Sequence, residues 1–129
     1  MSDESTTPVS GTFELSDWDS HDYQETDGVT FARTTLNKHY VGALQGTGTT
    51  TLLTATGPEG PAAYVALERF TGTLHGEPGS AVLRHSVAEP PATAVLVAAA
   101  GLGAFAGRQG VLTIEIDAQG THHYTLAWD

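Results

Sequence analysis

A chain of 129 residues, 40% of them hydrophobic, holds one domain around one core. Fifteen acidic residues against five basic ones give a net charge of −10, which argues against nucleic acid and anionic membrane, where clustered Lys and Arg supply the attraction. The absence of cysteine excludes disulfides, zinc–thiolate sites and thiol catalysis.

The opening MSDESTTPVS is acidic and polar and has neither the basic start nor the apolar stretch of a signal peptide. It points to a cytoplasmic protein with a disordered tail over residues 1–9, followed by a single domain over 10–129. Asp17, Asp19, Asp22, Glu25 and Asp27 follow closely, as a solvated face or loop. Strands are predicted at 11–18, 29–41, 47–56, 62–74, 80–87, 93–99, 110–117 and 121–128. Between them lie turn signals such as TDG, GPEGP, HGEPG, GRQG and DAQG. In VLTIEID, Leu112, Ile114 and Ile116 alternate with polar residues, and in HYTLAW Tyr124, Leu126 and Trp128 share a face. Residues 98–107, AAAGLGAFAG, fit either a strand end with a wide loop or a short helical turn. The longest apolar run, TAVLVAAAGLGAFAG, is too short and too rich in Gly and Ala to span a membrane. Strands joined in order by tight turns predict an all-β fold: an eight-stranded antiparallel up-and-down sheet closed into a barrel, with an interior just wide enough for side chains or one small ligand.

The segments GTFELSDWD, YVALERFTGTLHGEPGSAVLRHS and GRQGVLTI resemble a family of small bacterial proteins known only as a domain of unknown function. The residues that carry the resemblance include Leu67, Glu68, Arg69, Gly72, Thr73, Leu74, His85, Arg108 and Gly110. The resemblance implies a calycin-type, allene-oxide-cyclase-like β-barrel, a group that includes isomerases, cyclases and binders. The chain departs from the family pattern at Glu77, Pro78 and Arg84, and in the apolar VAAAGLGAF.

YVALERFTGTL sets Glu68 beside Arg69, so the two point to opposite faces of a strand. Ala81, Leu83 and His85 form the apolar face of the following strand, and this puts Glu68 inside with His85 while Arg69 and Arg84 face out. A buried carboxylate needs a partner. His85 is the candidate, with Tyr40, Tyr64 and Tyr124 as hydroxyl donors and Phe70 lining the same interior. Such a Glu68–His85 pair could serve as a general acid and base on an apolar oxygenated substrate, in a cofactor-free isomerase or cyclase. The plainer reading is that the two side chains satisfy each other and fix the register. Arg108 is either a bridge to an acidic loop or an anion anchor at the barrel mouth. His122 and His123 point to opposite faces and cannot chelate one metal as a local pair, and no metal or cofactor motif is present. Trp18 and Trp128 read as core or rim packing. Two other readings stand beside the small-ligand barrel. One is an acid-peptidase-like hydrolase, for which the only Asp-Gly is Asp27–Gly28. The other is a homodimeric interaction module joined through outward Val65, Leu67 and Val82.

Overall fold

Inward and outward residues alternate along the strands of the computed structural model, which describes residues 7–87 and 90–129. The strands are β1 (Val9–Thr26), β2 (Val29–Gly42), β3 (Leu44–Gly57), β4 (Gly60–Leu74), β5 (Glu77–Ser86), β6 (Thr93–Leu96), β7 (Leu102–Gly103), β8 (Gly110–Ile116) and β9 (His122–Trp128). Every pairing is antiparallel, and neighbours follow chain order except at the two-residue β7, which pairs only with β5. Because β4 pairs with β5 and β9 with β1, the other eight strands form a ring with no free edge at its waist. The described residues contain no α-helix, only a 3-10 turn at Ala98–Ala100, and no helix long and apolar enough to cross a membrane.

The interior divides into two halves. In one, Tyr40, Phe70, Phe105, Leu112, Tyr124 and Leu126 pack into a filled core. Phe105 comes from the segment whose structure the sequence left open. It plugs that end of the ring, with its ring 5.7 Å from Phe70 and 6.5 Å from Trp128. At the other end β1 to β4 run past their neighbours: β9 pairs with β1 only over Val9–Phe13, and β5 pairs with β4 only from Val65 onward. The result is a projecting four-stranded sheet with one face turned over the ring's open end.

β3 and β5 begin at Leu44 and Glu77 rather than at 47 and 80, and three further boundaries differ from the sequence reading. β1 continues to Thr26 rather than ending at 18. Its distal half is exposed on both faces, so no apolar alternation marks it as a strand. The acidic residues there line a free edge, where charge discourages pairing with another chain. The expected disorder of residues 1–9 falls outside the described residues for 1–6, whereas Val9 is buried and pairs with Leu126. The strand expected at 93–99 stops at Leu96, where the chain turns to carry Phe105 inward. Asp27–Gly28 is the turn of the β1–β2 hairpin, with positive φ at both residues (54° and 80°), the geometry that favours this dipeptide.

Candidate functional site

Glu68 sits on the inner face of β4, opposite Leu83 of β5 and Thr50 of β3, and is 1% exposed. Arg69 faces out, as the alternation predicts. Three groups converge on the carboxylate. Lys38 Nζ donates to Oε1 at 2.8 Å, the Tyr40 hydroxyl donates to Oε2 at 2.6 Å, and His85 Nε2 lies 3.4 Å from Oε1. Burial alone would raise the carboxyl's pKa. The His85 contact, the Lys38 ammonium and the Tyr40 hydroxyl outweigh it and hold the group at about 2, below its ordinary 4.5. Burial and the adjacent Glu68 charge push the Tyr40 hydroxyl well above its ordinary range, so Tyr40 stays a neutral donor.

The network spans strands that do not touch. Lys38 and Tyr40 are on β2, Glu68 is on β4, and β3 runs between them. Gly48 of β3 lies between Lys38 and Phe70 in the register. Lacking a side chain, it lets the Glu68 carboxylate lie across β3. A Cβ at Gly48 would meet Glu68 Oε2 and stand 3.1 Å from Tyr40 Cε1.

Above this network is a cavity of about 230 Å³ in the open end of the ring. Phe13, Leu15, Leu36, Leu52, Ala66 and Ile114 form its apolar walls, and Lys38, Thr50, Tyr64, His85 and His122 supply the polar groups. Trp18 lines its rim at 64% exposure. A β-bulge places it there: Ser16 pairs with Asn37 and Asp19 with Thr35, so Asp17 and Trp18 together oppose Leu36. Asp17 takes the left-handed conformation (φ 57°), with its carboxylate held by Asn37 Nδ2 at 2.9 Å and Ser16 Oγ at 3.0 Å.

Of the residues singled out from sequence, Glu68, His85 and Tyr40 meet in the network and Tyr64 lines the cavity. Phe70 and Tyr124 belong to the filled half. Phe70 packs edge-on against Tyr40, and the Tyr124 hydroxyl donates to Val41 O and accepts from Leu44 N. Arg108 lies at the far end of β8, its guanidinium 3.6 Å over the Trp128 ring. His122 stacks on Phe13 in the cavity wall, while His123 points the other way, to Asp117 at 2.7 Å. Among the described residues no three His, Asp or Glu side chains are grouped to hold a metal. Sequence reasoning missed Lys38. The signal was its parity: Leu36, Lys38 and Tyr40 share the inner face of β2.

Residues 9–128 match the profile of a family described as "Protein of unknown function (DUF3224)". The chain belongs to the DUF3224 family. A crystal structure of a DUF3224 protein of unknown function from Shewanella oneidensis MR-1 is similar to it, with 29% sequence identity, a TM-score of 0.80, and coverage of 95% of this chain and 96% of that one. No curated protein matches the chain. The DUF3224 identity supports the expectation of a small bacterial domain of unknown function and leaves the argument for a role to the cavity itself.

Proposed function

We propose that this protein binds a small, largely apolar molecule in the open end of an eight-stranded, allene-oxide-cyclase-like barrel, with the Lys38–Glu68–Tyr40–His85 network as a fixed polar floor. The observation that carries this reading is the cavity of about 230 Å³, with apolar walls and a few convergent polar groups, directly above the buried ion pair. Binding is favoured over catalysis through Glu68. A general base works best with a pKa near the operating pH, whereas a carboxylate held at about 2 by three partners is a weak proton acceptor. If the pocket carries out isomerase or cyclase chemistry, the reachable groups are His85 and Lys38, which line it.

The test uses Trp18 as reporter. Trp128→Phe leaves Trp18 as the sole tryptophan, since the chain has two. Toluene is then expected to shift Trp18 emission to shorter wavelength in a saturable manner. An emission unchanged up to the solubility limit would contradict a ligand seated beneath that rim.

We further propose a homodimer joined through the outer face of β4 and β5. Val65 and Leu67 stand 54% and 60% exposed on that face, with Val82 beside them. Sedimentation at high micromolar concentration is expected to show a dimer, and Leu67→Asp a monomer. A wild-type monomer under those conditions would refute the interface.

A further inference from the structure

We propose that the cavity selects an uncharged apolar molecule bearing one carbonyl-type acceptor oxygen, and that Thr50 makes the selection. This rests on the small-molecule reading above. Thr50 is on β3 between Leu36 and Glu68, lines the cavity and is 2% exposed. Its Oγ1 is the buried side-chain polar atom without a hydrogen-bond partner among the described residues. An unmet buried hydroxyl is costly, and valine would fill the same strand position at no such cost. Rotation about χ1 carries Oγ1 among the three staggered positions on Cβ, so the hydroxyl can be brought to an oxygen in the cavity without backbone movement. Lys38 lines the same wall and keeps ammonium protons beyond the one given to Glu68.

Charge balance decides between a carbonyl and a carboxylate. The titratable side chains at the cavity and its floor are Lys38, Tyr40, Tyr64, Glu68, His85 and His122. The Lys38 charge is already met by Glu68 at 2.8 Å. An anion would lie close to the buried Glu68 carboxylate, with the Lys38 ammonium already committed to that carboxylate. A hydrocarbon fits the walls but leaves Thr50 unmet. A ketone or ester oxygen satisfies Thr50 and adds no charge.

NMR titrations of the full chain at pH 8 with acetophenone, ethylbenzene and benzoate compare one ring bearing a carbonyl, no oxygen and a carboxylate. Acetophenone is expected to bind about tenfold tighter than ethylbenzene, as one hydrogen bond supplies, and benzoate weaker than acetophenone. Thr50→Val should weaken acetophenone about tenfold and leave ethylbenzene unchanged. Equal binding of acetophenone and ethylbenzene, or tightest binding by benzoate, would overturn the ligand class while leaving the cavity reading intact. No binding by any of the three would overturn both. Should Thr50→Val fail to fold, the wild-type ranking decides alone.

Discussion

Glu68→Gln is expected to lower stability at pH 7 by about 3–5 kcal/mol, although glutamine keeps the shape of the side chain. The loss arises at Lys38, whose ammonium is buried 2.8 Å from the carboxylate and is left without an opposing charge. Adding Lys38→Met should recover much of it, because the pair as a whole contributes little against an apolar replacement of similar size. The pH dependence has a defined sign. Glu68 has a folded pKa near 2 against an ordinary 4.5, so its ionised form stabilises the fold fully above pH 4.5. That contribution fades as pH falls toward 2. The gap between wild type and Glu68→Gln in urea denaturation should therefore be constant near neutrality and narrow below pH 4.5. A gap under about 1 kcal/mol at pH 7 would mean that the ion pair does not hold the cavity floor together.

Gly48→Ala is expected to cost about 2–4 kcal/mol, far more than one methyl on a strand normally does. The added Cβ occupies the space of Glu68 Oε2 and crowds Tyr40. The carboxylate must then withdraw from Lys38 and Tyr40, on the far side of β3. Gly57→Ala is the control: it lies at the end of the same strand, with its nearest neighbour 3.9 Å from the added atom, and should change stability by no more than about 0.5 kcal/mol. Equal effects at the two glycines in thermal denaturation would remove Gly48 from the account.

The difference between what could and could not be read from the sequence is physical. Glu68 and His85 were legible because β4 and β5 are consecutive antiparallel strands, and alternation alone sets which residues share a face. Lys38 was not, because its contact with Glu68 crosses a third strand and depends on the register of two hairpins and on a missing side chain at Gly48. Long Lys side chains usually end in water, so composition gives no hint of one with its charge buried. The distal half of β1 was hidden for another reason: a strand exposed on both faces carries no hydrophobic period. The bulge at Asp17 and Trp18 is equally silent, yet it turns the tryptophan to the cavity rim. The plug formed by Phe105 was foreshadowed only by the unusual apolarity of its segment.

The ligand binding proposed for this protein depends on the apolar cavity that the open end of the ring holds above the Glu68 network. Diffraction from a crystal of the protein under xenon pressure tests it most directly, since xenon occupies apolar cavities and makes no hydrogen bonds. A xenon atom is expected among Phe13, Leu36 and Ile114, with Lys38 and Tyr40 still bound to Glu68. A structure in which Trp18 and Leu15 fold inward to fill that space and exclude xenon would contradict it.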